Sequence, residues 1–302
     1  MQVQFQHTVK RNYSFEGKGL HTGKVARMVI CPAPEDTGLV FVRTDIEGCP
    51  QVEALAENVS NTARSTTISK GAASVSTIEH VLSALTGMGV DNARIEIDNV
   101  EVPILDGSAK PYIEAMWADG FQQQEAPRRF VELKETIEIR NEEVGSMVRL
   151  EPADEFSYEI LVDFNSKVLG VQTARWDANV VYAEEIGVCR TFVFFHEIEF
   201  LFKNGLVKGG DVDNAIVIVE HPVTDQQIKD MSNLFDVPAL KVREDGYLSN
   251  LTLRFPNECS RHKLLDLIGD LRLCGGFLKA KVTAEKAGHG INTAAAKAVR
   301  LK

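Results

Sequence analysis

Cysteine, basic charge and long apolar runs are all scarce in this sequence, and each shortage closes off a class of protein. The five cysteines, Cys31, Cys49, Cys189, Cys259 and Cys274, are odd in number, scattered and never in a CxxC pair. They argue against a disulfide framework and for a reducing compartment. Lys and Arg number 33 against 43 Asp and Glu, a formal net charge of −10. No overall basic field is therefore present to hold nucleic acid, and a phosphate-bearing ligand needs a local cluster of Lys and Arg instead. No window approaches transmembrane length. The stretch Met1 to Arg11 alternates Val3, Phe5 and Val9 with polar residues and lacks the apolar core of a signal peptide. The expectation is a cytoplasmic protein with no transmembrane segment and no nucleic-acid partner.

What is present is ordinary globular material: 302 residues, 44% hydrophobic and 25% charged, enough for two domains with sizeable cores. Residues 3 to 10 and 25 to 31 read as strands joined by Gly17-Lys18-Gly19-Leu20-His21-Thr22-Gly23. This glycine-rich loop is a weak phosphate signal, because no strand-turn-helix pattern surrounds it. Ser76 to Met88 predicts a helix, capped by Ser76 or Thr77, with Val81, Leu82, Leu85 and Met88 as its apolar face. A strand at Ala93 to Ile97, a turn at 103 to 109 and a helix from Pro111 to Ala118 follow. The polar, Pro-terminated stretch 122 to 127 is the expected domain boundary. It divides residues 1–126 from 127–302, and the second part opens with strands at 130 to 139, 147 to 151 and 157 to 164.

The most informative stretch is Cys259 to Leu271. Leu264, Leu265, Leu267, Ile268 and Leu271 form an apolar helical stripe, while His262, Asp266 and Asp270 share the other flank, with Lys263 beside them. An imidazole one turn from a carboxylate is half of a divalent-metal site. The plainer alternative is a solvated polar face. Two other stretches, Thr77-Ile78-Glu79-His80 and Gly288-His289-Gly290, could supply the rest of a hydrolytic centre. Glu79 and His80 are about 100° apart around a helix, so they take different jobs about one point.

Setting His80 against His262 matches Leu82 with Leu264, Leu85 with Leu267 and Gly87 with Gly269, and each helix leads to an apolar strand. The expected class is therefore α+β: two similar sheet-plus-helix domains related by a pseudo-twofold, with the active site at their interface. Residues 190 to 258, and 192 to 250 in particular, have no counterpart in the first half. Phe192, Val193, Phe194, Phe195, Phe200, Leu201 and Phe202 crowd there, ahead of Lys208-Gly209-Gly210-Asp211. They are either core packing or a hydrophobic passage for an acyl chain. His196-Glu197 lacks the HExxH spacing and is assigned to polar surface, and His7 and His221 receive no catalytic role.

These motifs, with Pro103-Ile104-Leu105-Asp106-Gly107-Ser108-Ala109, Arg190-Thr191-Phe192, Arg261-His262-Lys263 and Asn292, resemble the UDP-3-O-acyl-N-acetylglucosamine deacetylases, zinc amidases that commit a cell to lipid A synthesis. The resemblance runs over essentially the whole chain in the same order. It implies one Zn²⁺ per chain on His80, His262 and Asp266, with Glu79 as general base. It further implies His289 as general acid backed by Asp270, Thr191 as an oxyanion donor, and Lys263 on a phosphate or the developing charge. Substrate contacts fall on Phe192, Gly210 and Lys263, and the nucleoside on Asp163 and Phe164. The segment from about 222 to 250 is longer than the common form, and the chain stops shortly after Asn292. Both features are similar to the variant fused to a 3-hydroxyacyl-carrier-protein dehydratase; the dehydratase itself is not in these 302 residues, and the chain reads either as the first half of such a two-function polypeptide or as a shortened deacetylase. Two other readings stand beside this one: a catalytically silent acyl-lipid or nucleotide-sugar binder on the same fold, and a metal phosphoesterase, which would want a second metal.

Overall fold

The computed structural model describes residues 4–203, 208–211, 213–235, 237–238 and 240–302. Val3 and the Phe202 side chain, both singled out in the sequence, lie outside what is described, as do residues 204–207, 212, 236 and 239 of the long insertion.

Two mixed sheets organise the chain. The first runs in spatial order Tyr13–Lys18, Val25–Pro32, Ala93–Ile97, Leu39–Arg43 and Gln51–Glu53. The second runs Ile137–Asn141, Ser146–Pro152, Phe277–Glu285, Ser157–Asp163 and Val171–Asp177. In chain terms both orders are first, second, last, third, fourth. In both, the pairing of the last strand with the third is parallel and the other pairings along the path are antiparallel. The α+β class expected from the sequence is the one observed, and the internal likeness extends to strand order and direction.

Each sheet hides one face. In Phe277–Glu285 the alternate residues Leu278, Ala280, Val282 and Ala284 are buried, the period-two pattern of a sheet covered on one side. The covering helices are Glu79–Gly87 and Glu258–Leu271, each leading to the last strand of its sheet. Helices Lys110–Trp117 and His289–Arg300 follow those strands. On the Glu258–Leu271 helix the polar flank is buried along with the apolar stripe, His262, Asp266, Gly269 and Asp270 included. A solvated polar face is thereby excluded.

Between the fourth strand and the histidine-bearing helix, each half carries an insertion. In the second half it spans 178–257, with the parallel pair Phe192–Phe194 and Ile216–Ile218 and the helices Phe195–Lys203 and Asp225–Leu234. The first half does have a counterpart: a three-stranded sheet of Val59–Asn61, Thr67–Lys70 and Ala73–Val75 in the same place in the topology.

Other expectations shift locally. Gly17 and Lys18 belong to a strand, Tyr13–Lys18, paired with Val25–Pro32, so the glycine-rich loop begins at Gly19. The stretch 122–127 is a strand, Phe121–Pro127, antiparallel to Phe5–Val9. Its glutamines are used: Gln124 accepts from Asn92 and donates to the Ala33 carbonyl. Residues 130–139 split into Phe130–Glu132 and Ile137–Asn141, which lie on different neighbours. Neither Ser76 nor Thr77 caps the first histidine helix. Thr77 has φ 58° and donates its hydroxyl to Glu101, and the helix starts at Glu79.

Candidate metal centre

The two histidine helices cross at Gly269. A Cβ there would lie 2.1 Å from the Glu79 carbonyl oxygen, so glycine alone permits the approach. Across that crossing His80 and His262, the residues matched by the internal repeat, bring their rings to 5.0 Å at 87°. Asp266 Oδ1 lies 3.6 Å from His80 Nε2 and 3.4 Å from His262 Nε2.

Second contacts fix two of the three donors, His262 and Asp266. The Cys189 carbonyl lies 3.0 Å from His262 Nδ1, which places the proton there and leaves Nε2 as a lone-pair donor. Burial pushes the His262 pKa down to about 4, so the ring is neutral at pH 7. Asp266 Oδ2 accepts from Lys263 Nζ at 2.7 Å. Burial opposes its charge, but Lys263 and His262 hold the carboxyl well below the usual range. Asp266 Oδ1 is buried and has no hydrogen-bond partner. An orphaned buried carboxylate oxygen facing two imidazole nitrogens is costly unless a cation completes it. The three donors thus fit a divalent ion.

Glu79 and His289 stand beside these donors. Glu79 Oε2 accepts from the Thr66 backbone N–H at 3.0 Å, and Oε1 lies 3.9 Å from His289 Nε2. Burial raises the Glu79 pKa above the usual carboxylate range. His289 Nδ1 lies 2.9 Å from Asp270 Oδ2. Burial works against protonation of His289, but Asp270 and then Glu79 overcome it and lift the pKa to about 9. Asp270 is fully buried and also accepts from Thr66 Oγ1 at 2.5 Å and Asn292 Nδ2 at 3.0 Å.

A cavity of about 420 Å³ opens onto the centre and is lined by Glu79, His80, His262, Asp266, Lys263 and His289. Thr191, Phe192 and Gly210 line it too, so these candidates share one space. Asp270 lies behind His289, off the cavity wall. Thr191 is held through its backbone, its N–H donating to Gly107 and its carbonyl accepting from Ile216, both at 2.8 Å. The far wall is apolar: Phe194, Ile198, Leu201, Val217 and Leu248. The aromatic stretch therefore divides. Phe194 and Phe195 are buried, Phe192 and Phe194 face the cavity, and Phe200 is 58% exposed. Glu197, expected on polar surface, lines the cavity, because it sits on the same helix as Ile198 and Leu201. His196 is exposed. Asp163 and Phe164 line an adjoining pocket of about 310 Å³ that shares Lys263 and Phe164 with the main cavity. Asp163 pairs there with Lys286 at 2.8 Å.

The family whose description is UDP-3-O-acyl N-acetylglycosamine deacetylase matches residues 6–234 and 237–300. The chain belongs to this deacetylase family. It is 42% identical over 298 residues to the "Bifunctional enzyme LpxC/FabZ" of Porphyromonas gingivalis, covering 99% of this chain and 64% of that protein. The protein of the same name from Bacteroides thetaiotaomicron is 41% identical over 295 residues, covering 98% of this chain and 64% of its own length. The "UDP-3-O-acyl-N-acetylglucosamine deacetylase" of Anaeromyxobacter sp. is 40% identical over 290 residues, covering 96% and 86%. The chain thus spans less than two thirds of the bifunctional relatives. Among the described residues, no helix is long and apolar enough to cross a membrane.

The structure adds residues that the sequence did not mark. Thr66 touches three members of the centre, Glu79 through its N–H and Asp270 and His289 through its hydroxyl. Glu258 is fully buried and takes the Arg190 guanidinium at 2.9 Å, tying the Arg190-Thr191-Phe192 segment to the start of the His262 helix. Glu101 accepts from the N–H groups of His21 and Thr22, each at 2.8 Å, and so anchors the glycine-rich loop beside Thr77. A Ser-Thr-Thr run or a lone Glu carries no local signal of such contacts. Asn292, quoted only within a motif, is a donor to Asp270.

Proposed function

We propose that the chain catalyses zinc-dependent hydrolysis of the N-acetyl group of a UDP-linked, 3-O-acylated N-acetylglucosamine, releasing acetate and the free amine at the step that commits a cell to lipid A synthesis. The observation that carries this reading is Asp266 Oδ1, buried, unpartnered and facing two imidazole nitrogens, with Glu79 and His289 in the same cavity wall. His80, His262 and Asp266 would hold one ion. Such an ion supplies Lewis acidity, which brings the pKa of water to about 7 and polarises an acyl oxygen. Zinc suits two imidazoles and a carboxylate, and iron suits them nearly as well.

The chain's own groups supply the proton transfers. Glu79 accepts the proton of the attacking water as the C–O bond forms. His289, kept protonated by Asp270, donates to the nitrogen as the C–N bond breaks, so the amine leaves neutral. The Thr191 hydroxyl donates to the oxyanion. The apolar wall receives the acyl chain, and Lys263 with the Asp163–Phe164 pocket receives the nucleotide. In this reading the halves meet across residue 126, the 192–250 insertion forms the acyl passage, and the reaction takes place in the cytoplasm. Of the two alternatives for the chain's extent, a two-function polypeptide is the one supported by the relatives named as bifunctional enzymes.

The test is deacetylation of UDP-3-O-(3-hydroxyacyl)-N-acetylglucosamine before and after chelation, with zinc or iron added back. Activity lost to the chelator and restored by one equivalent supports the reading. A folded, metal-loaded chain that binds the substrate without turnover would make it a silent binder. Turnover of a simple phosphoester in place of the amide would make it a phosphoesterase.

A further inference from the structure

A second cluster of side chains of metal-ligating type lies outside the cavity, on the insertion. His196, Glu220 and His221 each offer one donor atom, and these atoms all lie within 4.8 Å of one another. The fold explains how His196 and His221, both set aside in the sequence, come together with Glu220. Strands Phe192–Phe194 and Ile216–Ile218 are parallel neighbours with Phe194 opposite Ile218. Both chains leave the pair at the same edge, so the residue two beyond Phe194 meets those two and three beyond Ile218. The His196 ring stacks on Phe194 at 5.6 Å and 28°, which orients it. The His221 ring stands 5.4 Å from it at 52°.

We propose that His196, Glu220 and His221 bind a second divalent ion of the zinc, nickel, copper or cobalt class. Two imidazoles and a carboxylate select such ions over calcium or magnesium, which prefer oxygen donors alone. Ligand distances of about 2.0–2.2 Å require the three donors to draw together slightly. The two exposed imidazoles and the half-buried Glu220 do this by small torsional changes. No hydrogen bond or ion pair with another described residue competes for either imidazole or for the Glu220 carboxylate. Water completes the coordination at this open edge, so the ion is held more weakly than in the buried centre. The ion joins the first turn of the Phe195–Lys203 helix to the end of the Ile216–Ile218 strand. Ile198, Leu201 and Val217 on those elements wall the cavity, with Phe194 just ahead of the helix, so binding stiffens that wall.

The experiment is equilibrium dialysis of the untagged, fully metal-loaded protein against nickel or cobalt. One further equivalent is expected. His196→Ala combined with His221→Ala removes that equivalent and leaves the first in place, which also shows that the variant folds. Glu220→Gln weakens binding without abolishing it. Hydrogen exchange at residues 195–203 and 216–221 slows when the second ion is added, and does not in the double variant. A wild-type protein that takes up no further equivalent, or a double variant that still does, overturns the proposal.

Discussion

The Glu79 carbonyl oxygen fills the space where Gly269 has no side chain, 2.1 Å from the position a Cβ would take. This contact sets the depth at which the two histidine helices cross, and hence the 5.0 Å separation of the His80 and His262 rings. Gly269→Ala pushes the helices apart. Overpacking of this kind costs about 1–3 kcal/mol, and the ligand separation widens with it. A lower denaturation midpoint and a lower metal content at equilibrium are expected together. Full metal retention at wild-type stability would show that the crossing has slack.

Glu79 is next to the proposed ligand His80 in sequence, yet its carboxylate is held by the Thr66 N–H at 3.0 Å and is not among the converging donors. Glu79→Gln should therefore reduce turnover by roughly 10²- to 10⁴-fold, the usual contribution of a general base, while the metal content stays at one equivalent. Loss of the ion with the activity would make Glu79 a ligand.

His289 titrates at about 9 because Asp270 and Glu79 outweigh the effect of burial. The form that donates a proton is the charged one, so kcat falls as pH rises through that value. Asp270→Asn removes the largest charge raising the pKa, and the alkaline limb moves to lower pH. His289→Ala abolishes the limb and costs roughly 10²- to 10⁴-fold in rate. An alkaline limb that stays put in the Asp270 variant would assign the donor elsewhere. On the acid side the rate climbs as Glu79 loses its proton, above the ordinary carboxylate range because of burial.

Thr66→Val deletes the hydroxyl that donates to Asp270 at 2.5 Å and keeps both the shape and the N–H bond to Glu79. A buried carboxylate loses one of its three donors, at a cost of about 1–3 kcal/mol. Reduced stability, with a lower rate because the Asp270 carboxylate loses a contact that positions it behind His289, is the expected pair of results. Calorimetry alongside rate measurements separates the two.

Ile198→Trp fills part of the apolar wall beyond Phe194. For substrates with long acyl chains KM should rise about tenfold or more, in line with the few kcal/mol at stake in burying several methylenes, while short-chain substrates are barely affected. Equal effects on both would place the acyl chain somewhere other than this passage.

The parts of the centre that could be read from the sequence were those set by helical period. His262, Asp266 and Asp270 lie at four-residue steps, and Glu79-His80 opens a helix whose apolar residues mark its direction. The repeat was visible for the same reason, since Gly87 and Gly269 sit at matched positions on matched helices, and the structure extends it to strand order. Insertions were less legible. The first half's three-stranded sheet, and the strand at Phe121–Pro127, rest on pairing with distant segments and have weak alternation of their own. Thr66 reaches Asp270 across 204 residues and His289 across 223, and no local pattern encodes such contacts.

By itself the sequence determined the inventory of donors, their spacing along each helix and the apolar stripes that bury those helices, because these depend on neighbours within a turn or two. Tertiary structure decided whether the polar flank meets water or another helix. Burial of a face depends on what the other half of the chain lays against it, and here that is the Glu79 helix seated on Gly269. The same dependence brought His196 and His221 together. They are 25 residues apart in the chain, and only the parallel pairing of their strands makes them neighbours.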